Sequence, residues 1–421
     1  MTAHTPRILT DAETSLLEAF AAAGKSDSAR DAAIAQLKEN GLPTRRVEAF
    51  HYTDLRALLK AGYKVAKRPT EELAKTVGAQ FPRLVTGASV QHFRDGHFFD
   101  FGEDVPKGAT VTAELPQAKS LKGEADATAL INIAFAQDGL TLSIAEDEEI
   151  EQTIGLAYAH TGTANTIAAQ RFAINAATNS KSTIVYRAVG LEDVQYLSSS
   201  VVDLNIADGA TVTLTMSIEE GNLAQRLGRL NVSLGKDAVL NLFILNVGGK
   251  LVRQEVNFDV VGENSELNIS GVNLIGGESH IDVTSRITHH VPNTVANETF
   301  RNVATGRGRG VFQGQINVRQ PAQLTDARMA CNTLLLSDDC DFSAKPELEI
   351  FADDVQCAHG ATVTDLEESY MFYLMARGIS ETNARRMLIK AFVTETFEEI
   401  KDEGLAEALS ARIDTWMEKH V

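Results

Sequence analysis

Apolar residues near the start of the chain recur at helical spacing: Leu16, Leu17, Phe20 and Ala21, then Ile34 and Leu37. A stripe of this period predicts two amphipathic helices over residues 11–39, with Gly24 to Ser28 as the break between them. Asp11 is the expected cap of the first helix. Gly41-Leu42-Pro43 ends the unit, since Gly suits the residue after a helix and Pro cannot continue one. Tyr52 to Ala61 and Thr70 to Gly78 predict further short helices. From Phe81 to Thr128 the pattern is mixed, with short alternating pieces and many turn residues, so residues 1–128 read as a largely helical N-terminal region with a few strands.

Beyond residue 128 the apolar period changes to two. Four segments, Ser182–Tyr186, Ala210–Leu214, Ala238–Leu242 and Ser265–Ile269, begin 28, 28 and 27 residues apart. Each opens on a small residue, carries apolar residues two and four places later, and follows charged or turn residues such as Asp208-Gly209 or Lys236-Asp237. A near-constant period in strand-type sequence means one supersecondary unit per repeat, stacked so that each unit buries its neighbour's apolar edge. The predicted fold class is therefore mainly β: a parallel β-helix (β-solenoid) core over residues 129–364, with helical N-terminal and C-terminal regions. The period loosens after Gly276. A β-sandwich is the competing architecture, because short strands separated by turn signals also suit one, and the regular spacing favours the solenoid.

A solenoid has open edges at both ends that must be capped or paired, and the helical N-terminal region is expected to cap one of them. Helical spacing returns over Leu366 to Arg377, with Tyr370, Phe372, Tyr373 and Leu374, and Gly378 ends that helix. Ser380 is the expected N-cap of a second helix carrying Ala384, Met387, Leu388, Ala391 and Phe392. A third, from about Leu405 to His420, places Leu405, Leu409, Ile413 and Trp416 on one face. Residues 365–421 thus read as a helical C-terminal domain, and the aromatic cluster in its first helix reads first as core.

Length and charge narrow the function. At 421 residues the chain exceeds one ordinary core. A formal charge of -18 argues against a nucleic-acid partner, which requires a basic surface, and against an anionic membrane. Only Cys331, Cys340 and Cys357 are present, so no disulfide framework is predicted and a reducing compartment fits. With neither a signal-like N-terminus nor a long apolar run, the expected location is the cytosol.

The candidate chemistry sits in Lys345 to Thr362, KPELEIFADDVQCAHGAT. Cys357 and His359 end a strand-like run, and residues at i and i+2 of a strand share a face, so thiol and imidazole project side by side. That makes half of a soft-metal site, since zinc and iron-sulfur sites take three or four protein ligands. The rest must come from elsewhere in the fold, from another subunit, or not at all; the plain alternative is a buried Cys beside a hydrogen-bonded His. A sugar-cleaving β-helix enzyme would need paired carboxylates on one face, and Asp338-Asp339 and Asp353-Asp354 are sequence neighbours that point opposite ways in a strand. His289-His290 make a poor joint metal site for the same reason. Thr305 to Gly310, TGRGRG, reads as a tight corner, and no phosphate-binding loop with the G-x-x-x-x-G-K-[ST] pattern is present.

The segment from Lys345 to Phe392, KPELEIFADDVQCAHGATVTDLEESYMFYLMARGISETNARRMLIKAF, resembles the C-terminal signature of SufD subunits in the SufB/SufD family of the SUF iron-sulfur cluster assembly scaffold. GLPTRRVEAFHYTDL, Gly41 to Leu55, resembles that family's N-terminal motif, with Phe50 where the family usually has Trp. The absence of an N-terminal cysteine motif, the first Cys being Cys331, sides with SufD over SufB. The resemblance implies a non-catalytic scaffold subunit with two partners, a SufB-like paralogue in a heterodimer and a SufC-like ABC ATPase, and leaves a homodimer open when the chain is alone. It implies that Cys357 and His359 contribute to a shared site for iron or a nascent cluster, with no stably bound cofactor. It also implies that the helical segment with Tyr370, Phe372, Tyr373, Leu374, Arg377 and Gly378 docks the ATPase. Cys331 stands where SufB has an important Cys, and its role is left open.

Overall fold

The computed structural model describes residues 8–24, 26–60, 62–118, 126–397 and 400–421. The β-solenoid of the sequence reading is present, with about 8 turns and helices toward both termini. Each turn contributes two strands, one to each of two 10-stranded sheets, and all coil strands pair in parallel. The four repeat segments stack in one sheet, not in two antiparallel ones, so the sandwich is excluded. Ile184, Leu214, Leu242 and Ile269 form one interior column. The spacing placed Ser182 on Ala210, whereas Ser182 pairs with Val212. That slip of two residues keeps every side chain on its predicted face, because the strand period is two. The apparent loosening after Gly276 reflects slightly longer corners: Glu266, Val295, Asp326 and Gln356 continue the same register.

The corners explain why turn residues precede each repeat. Asn179, Gly209, Asp237, Asn264 and Asn293 have φ between 54° and 69° and lie two residues ahead of the strands that begin at Lys181, Thr211, Val239, Glu266 and Val295. Asn, Asp and Gly are the residues that enter the left-handed region at least cost. The TGRGRG run is such a corner, with Gly306 at φ 67° between the strands Val295–Ala304 and Arg309–Val318.

The helices do not close the solenoid ends, contrary to expectation. Helices Asp11–Ala23, Ser28–Asn40 and Ala127–Phe135 lie on the outer face of one sheet, burying Leu16, Leu37, Leu130 and Ile131 against Ile167, Leu197, Leu227 and Leu251. Helices Glu381–Thr394 and Glu403–His420 lie on the outer face of the other, with Ile389, Leu409, Ile413 and Trp416 against Phe243, Leu245, Val272 and Leu274. Outward positions that are apolar on four successive coils make a stripe as long as a helix, and a helix covers it. Two local readings also change. Thr10, not Asp11, caps the first helix, in a reciprocal pair with Glu13. The helix expected over Tyr52 to Ala61 is limited to Leu55–Leu58, and Ala61 lies outside the described residues, as do residues 1–7 and 119–125 of the N-terminal region.

What closes the N-terminal end is a reversal of strand direction. Ser89–Arg94 pairs antiparallel with His97–Phe99, and Ala109–Thr112 pairs antiparallel with the first coil strand, Asp138–Ile144. Phe93 enters the interior there, edge-on to Phe172 at 4.8 Å between ring centroids. The C-terminal end has no such closure. Strands Asp341–Ile350 and Gln356–Asp365 are the outermost members of the two sheets, and nothing among the described residues pairs with their free edges.

Candidate functional site

Cys357 and His359 lie on the last strand of the solenoid, near its start; residues 351–355 form a corner that divides the continuous run read from the sequence. Their register fixes what they face. Cys357 pairs with Ala327 and His359 with Met329, and both continue columns that point into the solenoid on every earlier turn: Ala296 and Ala327 lead to Cys357, while Ile269, Glu298 and Met329 lead to His359. The two side chains therefore share a face, as the i, i+2 spacing requires, and that face is the interior. On earlier turns such positions are buried by the next coil. Here no next coil follows, so His359 is exposed and Cys357 half-exposed. Ile350, Phe351 and Val363 on the same final turn are 41%, 57% and 41% exposed.

The alternative of a buried Cys with a hydrogen-bonded His does not describe this geometry. Burial still raises the Cys357 thiol above its ordinary value; the Ala327 backbone partly offsets this, and Asp326 adds to it. The thiol is protonated at neutral pH until a metal or a cationic neighbour displaces the proton. Among the described residues no group of three or more His, Cys, Asp and Glu side chains is placed to hold a metal. The ligand pair remains a half-site within the described fold.

The other two cysteines are different in kind. Cys340 is buried and donates to the carbonyls of Ser337 at 3.0 Å and Ala304 at 3.4 Å, a structural arrangement. Cys331, also interior, accepts from Asn302 Nδ2 at 3.3 Å, and burial pushes its thiol up to about 12. The adjacent histidines part as predicted: His289 is buried against Thr294, and half-buried His290 reaches Asp259 at 3.1 Å on the outside.

The second predicted surface is the helix Glu368–Ala376. None of its residues is buried, which reverses the reading of its aromatics as core. Tyr370, Phe372, Tyr373 and Met375 are 58%, 76%, 54% and 45% exposed, and the Arg377 guanidinium sits 4.4 Å from the centroid of the Tyr373 ring. Leu374 is half-buried, and Gly378 takes φ 85°, returning its N–H to Met375 to end the helix. An exposed aromatic and methionine face of this kind is unusual on a soluble monomer. Met387 on the next helix is 50% exposed. Arg377 and Gly378 therefore border the face, and the aromatics form it.

One buried group at the site was missed in the sequence. Glu298 occupies the interior column beneath Met329, is 1% exposed, and neither carboxylate oxygen has a hydrogen-bond partner. Burial raises its carboxyl to about 7. The signal was available, since a charged residue falls at a position that is apolar on the preceding coils, but only correct register makes it visible.

Comparison with known proteins agrees with this architecture. Residues 158–392 match the SUF system FeS cluster assembly SufBD core domain, and residues 11–79 match the SufBD protein N-terminal region. The chain is 27% identical over 391 residues to the iron-sulfur cluster assembly protein SufD of Escherichia coli, covering 90% of each. It is 25% identical to an iron-sulfur cluster assembly SufBD family protein of Synechocystis, over 85% of this chain and 84% of that one. The chloroplastic protein ABCI7 of Arabidopsis thaliana is 27% identical over 89% of this chain and 84% of its own length. A solenoid whose core matches the family model from coil to C-terminal helices, with the helical N-terminal unit matching a second model, makes this chain a member of the SufBD family of iron-sulfur cluster assembly proteins.

Proposed function

We propose that the chain is a non-catalytic scaffold subunit of a SUF complex, that its open solenoid end pairs with a SufB-like paralogue, and that Cys357 and His359 complete a shared site with that partner. The observation that carries the reading is the uncovered final turn. Two parallel sheets end there with unpaired backbone groups and core-facing side chains, and such an edge is a template for strand addition by another chain. A partner that continues the coil would cover Ile350 and Val363 and meet Cys357 and His359 face to face, supplying the missing ligands. Iron or a nascent cluster is cargo at this junction: a thiolate and an imidazole are suitable borderline-soft donors, and two alone hold iron weakly. The exposed aromatic face of Glu368–Ala376 is the docking surface for a SufC-like ABC ATPase. Three unpaired cysteines fit work in the cytosol or a comparably reducing compartment. No helix among the described residues is long and apolar enough to cross a membrane.

The test compares His359→Ala and Cys357→Ser in the assembled complex, prepared without oxygen. Both residues sit on an uncovered turn, so subunit assembly and melting temperature should stay near those of the wild type while cluster yield falls sharply, more for His359→Ala. Loss of melting temperature in step with cluster would return the pair to a structural role. Unchanged cluster yield in both variants would remove the site and leave a solenoid scaffold without metal chemistry.

A further inference from the structure

In the middle of the solenoid the interior of one sheet turns polar. On strands Thr166–Ala176, Tyr196–Ile206, Gln225–Leu234 and Leu251–Val260 the odd-numbered Ile167, Leu197, Leu227 and Leu251 meet the N-terminal helices, so the even-numbered residues face the interior. Gln170, Ser200, Gly228 and Gln254 are register partners in one such inward column. It carries an amide, a hydroxyl, no side chain and an amide on successive coils, where the next two coils carry Val283 and Phe312. Arg226 is the inward residue two places before Gly228. Its guanidinium donates to Glu220 at 3.0 Å, to the Tyr186 hydroxyl at 2.9 Å and to Ser200 Oγ at 2.6 Å. Gln170, Ser200, Arg226 and Gln254 are all 1% exposed or less.

Four atoms in this group have no hydrogen-bond partner: Nε2 and Oε1 of Gln170, Arg226 Nε and Gln254 Oε1. Exchanging the two ends of the Gln170 amide leaves both unsatisfied. Gln254 is fixed, because its Nε2 donates to the Glu255 carbonyl at 3.2 Å and exchange would set two oxygens against each other. The missing side chain at Gly228 brings two of the four together: a Cβ there would collide with Gln254 Oε1, and Arg226 Nε lies 3.5 Å from the same point. Gln170 is one strand away, paired with the Ser200 that accepts from Arg226. Buried polar groups are nearly always satisfied, and those that cannot reach one another are satisfied through water. The mixture of donors and acceptors identifies the guest. A cation would be opposed by the guanidinium, and an anion by Glu220 and the two amide oxygens, whereas water both donates and accepts. We propose that the solenoid interior at Gly228 holds about two bound waters, one bridging Arg226 Nε to Gln254 Oε1 and one on the Gln170 amide. They complete the hydrogen bonding of the buried Glu220–Arg226 pair, which a low-dielectric interior tolerates only when its remaining polar atoms are satisfied. Every contact belongs to this chain, so the site stands whether or not the open end takes a partner.

The test is a crystal structure of the full chain at a resolution that orders internal solvent, paired with the variant Gln170→Met. Met matches Gln in length, and the substitution breaks no hydrogen bond to protein, since neither amide atom makes one. In the wild type, solvent peaks are expected within about 3.2 Å of Arg226 Nε, Gln254 Oε1 and the Gln170 amide. In Gln170→Met the peak on the amide should be lost and the one at Gly228 kept, and oxygen-17 relaxation dispersion of the water should show about one fewer long-lived molecule per chain. Stability separates a wet site from a dry one. A dry Gln170 amide is a pair of buried polar atoms without partners, so Gln170→Met would raise the denaturant midpoint; a hydrated amide is satisfied, and the midpoint should stay or fall. A crystal structure with no solvent at these atoms, or with the side chains turned to bond one another, overturns the proposal. A raised midpoint with unchanged dispersion overturns it as well, and so does a peak at Gly228 that anomalous scattering identifies as an ion.

Discussion

At the scale of single residues, positions that break the solenoid's own pattern are the informative ones. Six successive corners before one sheet place a residue in the left-handed region; five are Asn, Asp or Gly, and the sixth is Leu324, at φ 60° and 55% exposed. An L-residue with a bulky side chain costs about 1–2 kcal/mol there, and exposure means that little packing offsets it. Leu324→Asn should therefore raise stability by about 1 kcal/mol, measured as a higher denaturant midpoint of the isolated chain; an unchanged or lower midpoint would show that the side chain has a packing role. Glu298 breaks the interior pattern in the opposite sense. Its carboxyl is raised from 4.5 to about 7 by burial, so the native state holds a proton that the unfolded state has lost between those values. Its stabilising contribution is complete below pH 4.5 and is lost as pH rises through 7, a slope of about 3 kcal/mol in all. Buried His160 and His289, lowered to about 3 and about 4, act with the opposite sign, losing stability as pH falls below 6.5. The raw pH profile is thus a sum of opposing slopes. The difference between wild type and Glu298→Gln isolates one: Glu298→Gln should gain on wild type from pH 5 to pH 8, and a constant difference would contradict the burial of the charge.

At the scale of elements, the C-terminal helices divide into two roles that a simple deletion would confuse. Glu381–Thr394 and Glu403–His420 cover Phe243, Leu245, Val272, Leu274 and Val303 on the outside of the solenoid. Each such side chain contributes about 1.5–3 kcal/mol by its burial, so removing residues 366–421 would expose a sheet face as well as any docking surface. The helix Glu368–Ala376 buries nothing of its own. Substitutions there separate docking from stability: Phe372→Asp with Tyr373→Asp should change stability by less than about 0.5 kcal/mol and abolish co-purification with the ATPase. Retained co-purification would move the docking surface elsewhere. The same contrast holds among glycines. A Cβ at Gly262 would collide with the backbone of Gly235 and Lys236 on the preceding coil, whereas one at Gly360, on the last turn, meets nothing within 4 Å. Coil-on-coil contact is what the final turn lacks.

At the scale of the whole molecule, the two ends of the solenoid are unequal. The N-terminal end is finished by antiparallel strands and by Phe93, and the C-terminal end is left as two free edges around exposed Ile350, Phe351 and Val363. A charge on the uncovered interior face should block continuation of the coil without harming the coil already formed. Val363→Lys is expected to leave the melting temperature of the isolated chain unchanged and to abolish pairing, whether with the paralogue or with a second copy, in sedimentation velocity. Persistent pairing would place the interface on another surface. The internal ion pair of Glu220 and Arg226, at 3.0 Å and fully buried, lies well inside the solenoid; Tyr196 and Ser198 donate to the carboxylate and the guanidinium donates to Tyr186 and Ser200, leaving Arg226 Nε without a partner.

The sequence by itself determined what depends on short-range pattern. Alternation and a near-constant period gave the solenoid, Asn, Asp and Gly gave its corners, and helical spacing with Ser380 and Gly378 gave the C-terminal helices close to their observed limits. The i, i+2 relation placed Cys357 and His359 on one face, since a strand period of two is local geometry. The tertiary structure decided which face that was, which end stayed open, and where the helices packed. Each of these depends on register between coils whose corners vary in length, so a two-residue slip, invisible in the pattern of any one strand, changes which side chains stack. That is why Glu298 beneath Met329 and His359 could not be read along the chain, although every residue of the column was in plain sequence. Exposure of Tyr370, Phe372 and Tyr373 was likewise beyond local pattern, because the sheet face that might have covered them is filled by the two helices that follow.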